Sequence, residues 1–569
     1  MLSKALREYD TVSVEPTTEG PPAVRFEKGA SRAGIDVRRF PWIRPLSGDY
    51  AFNFARVASL YAGDPASPEA WRGVISRVQQ HARGRDEIVA VLRAQQERRG
   101  APPEARAAVE QLARSGTVAI LTGQQAGAFG GPMYTLLKAI TALQLAREVS
   151  SRQQVPVVPI FWVDAEDHDW EEIASCTVLD GEFQPKTVTL DAPEGAGTLP
   201  VASLSLDPRL TKTIDELASV LEHTPFTESL ITSLRQAYPP GVGVSEAFAR
   251  WIESVLGRHG VIVFESSDVA AKPLAAPVFA HELRNPGITS RLATAAGRAM
   301  SALGHAPQVE PQPDQLAVFH LDGSRSAIKR AGDRFTFGDT TVTAAELVAM
   351  AEQAPESFSP NVLLRPIVQD TLFPTICYVA GPSEMAYLGQ LGGVYQEFGI
   401  PMPLIYARAT ATIVDAAVAR FLRRNTVDLE ALQPQDESAL NQLLQSQLPP
   451  AVEQAMRDAA DAVQRTMTKV AEALPQLDPT LAGAAKTTIV RMTHDLQVLH
   501  SKVIHAAKKR DDTLRRQFMR VQAQIFPLGH PQERVLSVAY FLNQYGPALV
   551  DRLIDELPLE MGQHWILTI

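Results

Sequence analysis

Four consecutive stretches constrain this chain more than anything else in it: TVAILTG (117–123), QQAGAFGG (124–131), PMYTLLKAITALQLAREV (132–149) and VPVVPIFWV (155–163). The first and last are short and predominantly apolar, the pattern of strands covered on both faces. The third repeats its apolar residues at helical spacing. Pro132 stands where a helix would begin, a place that suits its fixed φ and missing N–H. Strand, glycine-rich loop, helix and strand together make a βαβ crossover, so a parallel sheet is predicted.

Further candidate strands are GVIVFE (260–265), PTICYVAG (374–381) and MPLIYAR (402–408), with a helix over 383–398 closing a second such unit. The fold class is therefore α/β, with a Rossmann-like open parallel sheet as the core, residues 116–415. Two modules are inserted into it, a hairpin followed by helices over 180–258 and a β-rich patch over 305–357. Residues 1–115 read as a helical region packing on the core. Beyond 415, Met456, Val463 and Val470 recur at heptad spacing, with Val452 and Ala459 beside them. LPQLDPTLAG interrupts the pattern, and Ile489, Leu496 and Val503 resume it with Met492 and Leu499 alongside. This predicts an antiparallel coiled-coil domain over 416–530. Residues 531–569 read as one amphipathic helix followed by an apolar tail, HWILTI.

Charge and cysteine content narrow the function classes. Lys and Arg number 54 against 64 Asp and Glu, a net charge of −10. Such a balance disfavours a dedicated nucleic-acid binder, which clusters cations against phosphates. Two cysteines, Cys176 and Cys377, cannot make a disulfide framework or a thiolate zinc site, and they suit a reducing cytoplasm. No apolar signal-peptide core opens the chain, and no run reaches the roughly 18 apolar residues of a membrane span. A soluble cytoplasmic enzyme with no membrane partner is expected.

Open α/β sheets take ligands beyond the carboxyl ends of their strands, so the loops there are the candidate sites. The first holds Gly123, Gln124, Gln125, Gly127 and Pro132. A glycine loop feeding a helix start offers backbone N–H groups to an anion, and glutamine amides both donate and accept. Neither GxGxxG nor GxxxxGK[ST] is present, so this is not a standard nucleotide loop. Lys138, farther along the helix, either reaches back to the anion site or lies on the surface.

The second site follows the next strand and contains Trp162, Asp164, Glu166, Asp167 and His168, with six carboxylates around one imidazole. His168 with Asp167 and Glu166 suits general acid–base catalysis. The same oxygens suit a hard cation such as Mg²⁺, or simply the acidic start of a helix. The third site is Gly381, Ser383 and Glu384, opening the helix that carries Tyr387 and Gln390, with Ser383 read as its N-cap. Arg408, after the last strand, either clamps a carboxylate or phosphate or sits in a buried ion pair.

TGQQAGAFGGPMYTLLKAI followed by VPVVPIFWVDAEDHDWEEI resembles the hallmark of the bacillithiol-biosynthesis cysteine-adding enzymes. VAGPSEMAYLGQL, KVIHAAKKRDDTLRRQ and FPLGHPQERVLSVAYFLNQYGPALVDRL extend the resemblance over nearly the whole chain. It implies a Rossmann-like core with two connecting modules and a coiled coil that mediates homodimerisation. It also implies the addition of cysteine to the amine of glucosaminyl-malate, the last step of bacillithiol formation. The positions implied for the site are Gly123, Gln124, Gln125, Gly127, Pro132, Tyr134, Lys138, Glu166, Asp167, His168, Gly381, Glu384 and Tyr387. Ala128 and Gly130 stand where the resemblance leads one to expect bulkier or hydroxyl-bearing residues. Amide formation from a free carboxylate calls for activation, most simply by adenylation or phosphorylation, so ATP or ADP is the candidate cofactor and no metal is specified. Two other readings are a nucleotidyl transferase or adenylate-forming enzyme acting on another small acid, which rests on the fold alone, and a non-enzymatic scaffold built on the coiled coil.

Overall fold

The computed structural model describes residues 31–425, 427–446, 448–476, 478, 480–510 and 512–569, so the first thirty residues of the expected N-terminal helical region lie outside it. Its centre is a five-stranded sheet: β1 (Val118–Gln125), β2 (Val157–Asp164), β3 (Ile262–Glu265), β4 (Thr375–Ala380) and β5 (Leu404–Ala407). The spatial order is β5-β4-β1-β2-β3, and every pairing is parallel. The chain builds outward from β1 to β3, then returns to the other side of β1 for β4 and β5. The strand order therefore reverses between β1 and β4, and a crevice opens at that switch point.

Both faces of the sheet are covered, which explains the unbroken apolar runs. Successive side chains alternate between faces. Leu121, Ile160 and Trp162 enter one apolar cluster, while Val118 and Ile120 enter another. β1 runs two residues past the glycine expected to end it. Gln124 and Gln125 stay in register with Val163 and Asp164, so the two loops expected to hold chemistry leave the sheet side by side.

α1 (Tyr134–Gln153) returns the chain from β1 to β2. Pro132 does not open this helix, contrary to expectation. It lies in an isolated antiparallel bridge with Ser537, with Met133 N donating to Leu536 O at 2.8 Å and Val538 N to Gly131 O at 3.0 Å. The loop before it coils through three positive-φ residues, Phe129, Gly130 and Gly131. A Cβ on Gly130 would stand 1.9 Å from the Trp251 ring of α2 (Val244–Leu256), so that ring occupies the space a bulkier loop residue would need.

Three more helices bring side chains to the rim: α3 (Lys272–Arg284), α4 (Arg365–Leu372) and α5 (Pro382–Leu388). The helix expected over 383–398 is in fact two, α5 and Gly392–Phe398. Gln390 sits in the break, fully buried, donating to Val309 O and accepting from the N–H groups of Gln308 and Val309, so it does not serve the site. The β-rich insertion is a five-stranded antiparallel sheet in which Arg325–Ala331 lies at the centre. The other insertion begins with the hairpin Ser175–Leu179 and Pro185–Thr189.

In the C-terminal part, α6 (Pro450–Ala473) and α7 (Leu481–Arg510) pack as a hairpin. Glu453, near the start of α6, meets His500, in the second half of α7, at 2.8 Å, as an antiparallel hairpin requires. The single amphipathic helix expected after 531 is three short ones, Gln532–Val535, Val538–Tyr545 and Ala548–Glu556. The first break lets Leu536 bridge to Thr177 beside the Pro132–Ser537 pair, and the second follows Gly546 at φ 71°. The apolar tail is a strand, Gln563–Thr568, pairing with Arg32–Asp36 on one side and Thr410–Val414 on the other.

His564 of that strand is buried between two threonines, Nε2 lying 2.9 Å from Thr412 Oγ1 and Nδ1 3.0 Å from Thr410 Oγ1. Burial pushes its pKa down to about 4, with Glu533 opposing and Arg408 adding to the shift. Between the ordinary value of 6.5 and about 4, the unfolded chain therefore binds this proton and the folded chain does not. Stability should fall as pH drops through that window, by about 3 kcal/mol from this group. Urea unfolding at pH 7 and pH 4.5 measures it, and His564→Asn should flatten the slope.

Candidate active site at the sheet switch point

The rim between β1 and β4 is closed by one buried lysine. Lys138 lies one turn past Tyr134, and helical side chains lean toward the N-terminus, so it reaches back over the end of β1. Its Nζ donates to Gly123 O and to Glu384 Oε2, both at 2.6 Å. Glu384 sits in the first turn of α5 and also accepts from Gly381 N at 2.7 Å and from the Tyr378 hydroxyl at 2.8 Å. Burial works against the charge on Glu384, but Lys138 and the Gly381 N–H more than offset it, and its pKa falls below the ordinary range. Burial likewise lowers the pKa of Lys138, with Glu384 opposing. With two oxygens at 2.6 Å from one ammonium, the pair is ionised. The N-cap of α5 is Gly381 rather than Ser383, because the Glu384 carboxylate already satisfies that N–H; Ser383 falls inside the first turn.

Gly123 is needed for a close approach: a Cβ there would lie 3.0 Å from Trp162 O and 3.1 Å from Trp162 Cβ. Gln124 Nε2 donates to the Tyr134 hydroxyl at 3.2 Å. Burial pushes that hydroxyl up to about 12, so it stays a neutral hydrogen-bonding group.

The acidic segment after β2 divides by role. Asp164 faces the cleft, 3.5 Å from Arg365 Nε. Glu166 is buried against Lys272 of α3, whose Nζ also donates to Phe358 O at 3.0 Å. Asp167 accepts from Arg325 Nη1 at 3.2 Å, and Asp169 caps the short helix Trp170–Ile173. His168 is not brought in: its side chain is 49% exposed, touches Asp167, and lies outside the cleft wall. The carboxylates expected to share a cation are instead taken by Lys272 and Arg325, and among the described residues no three His, Cys, Asp or Glu converge. Arg408 is buried in an ion pair, Nη2 donating to Glu533 Oε1 at 2.6 Å, with its guanidinium 5.5 Å from the Tyr134 ring.

The cleft has a volume of about 320 Å³. Its walls join Gly123, Gln124, Gln125, Tyr134, Lys138, Trp162, Asp164, Glu166, Asp167, Gly381, Ser383, Glu384, Tyr387 and Arg408, so all three loops meet there. Gly127 and Pro132 line an adjoining cavity of about 640 Å³, under the Ser175–Leu179 hairpin. The two cavities share Gln124, Gln125, Tyr134, Glu172 and Arg534. Sequence reading missed Arg325, Arg365, Ser266 and Arg534, while Glu172 is one of the six carboxylates of the acidic segment. Arg325 and Arg365 come from elements more than 150 residues from the acidic loop they face, as their separation of 158 for Asp167–Arg325 illustrates, and no local motif marks them.

Two family models divide the chain between them. One described as "Bacillithiol biosynthesis BshC, N-terminal Rossmann-like domain" matches residues 35–409, and one described as "Bacillithiol biosynthesis BshC, C-terminal coiled-coil domain" matches residues 411–569. Among curated relatives, a protein of Salinibacter ruber is 33% identical over 522 residues, 91% of this chain and 95% of its own length. One of Koribacter versatilis is 31% identical over 523 residues, covering 92% and 97%. One of Symbiobacterium thermophilum is 33% identical over 531 residues, covering 90% and 95%. Each of the three bears the name "Putative cysteine ligase BshC".

The buried pair at the rim yields a stability test. Glu384→Gln leaves the Lys138 ammonium without its counter-charge and should cost about 3–5 kcal/mol in urea unfolding. The double variant Lys138→Met, Glu384→Gln removes both charges and should recover part of that loss.

Proposed function

The chain belongs to the bacillithiol biosynthesis BshC family, and from that premise we propose that it is a cysteine ligase forming an amide between the cysteine carboxyl and the amine of glucosaminyl-malate. The observation that carries this reading is the pair of adjoining cavities with one common wall at the switch point. A condensation needs two substrates held with their reacting groups in contact, and such positioning removes much of the barrier. In this reading the charged cleft takes the amino acid, and the larger cavity takes the sugar conjugate. Trp170 gives that cavity an apolar face and Thr177, Thr187 and Thr189 give it hydroxyls. In this reading the amide forms at Gln124, Gln125 and Tyr134, which line both cavities and whose amide N–H and hydroxyl groups would hold a developing oxyanion.

The amine must lose a proton before it attacks. His168 stands off the cleft, whereas Glu172 faces both cavities, so Glu172 is assigned here as the base that accepts it. ATP, as the proposed cofactor, supplies the adenylyl or phosphoryl group that turns the carboxyl oxygen into a leaving group. Arg408 beside the Tyr134 ring is neutralised by Glu533, so in this reading Arg534, 5.9 Å from the same ring at the wall common to both cavities, would meet the phosphates of ATP. No observation at the site separately favours a nucleotidyl transferase acting on another acid.

The reading extends to assembly and location. Val470, Leu481, Val490, Met492, Val498 and Leu499 of α6 and α7 are large apolar residues left exposed, and a second copy of the coiled coil is the proposed cover. No described helix is long and apolar enough to cross a membrane, and Cys176 and Cys377 are free and buried, which suits a reducing cytoplasm.

Purified protein supplied with cysteine, glucosaminyl-malate and ATP should release the cysteinyl amide, detectable by mass spectrometry; absence of product, together with normal bacillithiol in a deletion strain, contradicts the assignment. Light scattering should give twice the chain mass of 61.9 kDa, and a monomer at working concentration overturns the proposed dimer.

A further inference from the structure

Most charged groups of the cleft are already committed to close partners. Lys138 and Glu384 meet at 2.6 Å, Arg408 and Glu533 at 2.6 Å, and Arg325 and Asp167 at 3.2 Å. Asp164 and Arg365 are different. Their ion pair is 3.5 Å long and is not a hydrogen bond. Among the described residues the Asp164 carboxylate accepts no hydrogen bond, and the one hydrogen bond of the Arg365 guanidinium runs from Nη2 to the Tyr387 hydroxyl at 2.6 Å. Both side chains are sheltered, 25% and 13% exposed, and both line the cleft. A carboxylate and a guanidinium with unfilled hydrogen-bonding capacity thus stand side by side at the carboxyl end of β2.

We propose that Asp164 and Arg365 together cradle the α-ammonium and α-carboxylate of the amino-acid substrate, with Tyr387 as a positioning residue that fixes the guanidinium plane. The proposal rests on the ligase reading and names the residues by which that reading's amino acid is recognised. An α-amino acid carries both charges on one carbon, so its two ends meet groups only a few ångströms apart. The planar fork of an arginine suits a carboxylate, and the adjacent aspartate accepts from the ammonium. A dicarboxylate such as malate, or a phosphate, would satisfy Arg365 but meet repulsion from Asp164. The sheltered position strengthens both attractions and that repulsion. The dyad therefore selects for a zwitterion, and it directs the sugar conjugate's own carboxylates elsewhere.

The test is calorimetric titration of the full-length protein with cysteine, cysteamine (no carboxylate) and 3-mercaptopropionate (no ammonium). Cysteine should bind at least tenfold more tightly than either analogue. Asp164→Asn should weaken cysteine at least tenfold while leaving 3-mercaptopropionate as it was or tighter. Arg365→Lys should weaken cysteine and leave cysteamine unchanged. Equal affinity of the wild type for all three thiols, or undiminished cysteine binding by a folded Asp164→Asn variant, overturns the proposal, and the analogue series decides the matter even where a variant does not fold. Turnover separates this from the ligase reading. Product formation with an unchanged KM for cysteine in Asp164→Asn refutes the cradle alone, while zwitterion-selective binding without product refutes the reaction alone. A raised KM for cysteine with the KM for glucosaminyl-malate unchanged supports both.

Discussion

Everything at the rim depends on one ammonium. Lys138 ties the last carbonyl before the glutamines of β1 to the first turn of the helix after β4, across the line where the strand order reverses. Parallel strands do not hydrogen-bond beyond their ends, so nothing in the sheet itself fixes how the two loops meet there. Burying an ion pair is costly, and an apolar pair of similar shape is often as stable. What the pair adds is geometry. It sets the distance between Gln124 and Gln125 on one side and Ser383 and Tyr387 on the other, and it leaves the space between them polar.

The same logic runs outward. Glu166 with Lys272 and Asp167 with Arg325 bind the acidic loop to α3 and to the antiparallel insertion. Arg408 with Glu533 binds β5 to the C-terminal segment. Each pair spans more than a hundred residues of sequence, and the last two join the sheet to a segment added to it. The antiparallel insertion and the C-terminal segment therefore help to wall the site and bring Arg325 and Arg534 to it, while Lys138, Arg365 and Arg408 come from the core. Charge neutralised in this way leaves Asp164 and Arg365 as the groups with capacity to spare.

The sheet was legible because both of its faces are covered: β1 and β2 are apolar almost throughout, and α1 between them has clean helical spacing. The three loops were legible as places because each follows a strand. Their division of labour was not. An acidic run with one histidine looks the same in sequence whether the imidazole points into a cleft or out of it, and here Asp167 and Glu166 turn toward partners 158 and 106 residues away while His168 does not line the cleft. Arg365 carries no local signature beyond the Pro366 that follows it at a helix start. Pro132 and the C-terminal helices were misread for one shared reason: residues 131–133 and 536–538 pair with each other across 400 residues, and pairing at such range overrides local propensity. The tail HWILTI alternates too briefly to announce a strand, and it becomes one because residues 32–36 and 410–414 offer it two edges.

In the proposed ligase the reaction takes place at the shared wall of two cavities on the β1–β4 rim. A crystal structure of the protein with the cysteinyl amide product bound tests this most directly. The product should span both cavities, with its new amide beside Gln124, Gln125 and Tyr134. Product density on the coiled coil, or anywhere that leaves those three residues untouched, would contradict it.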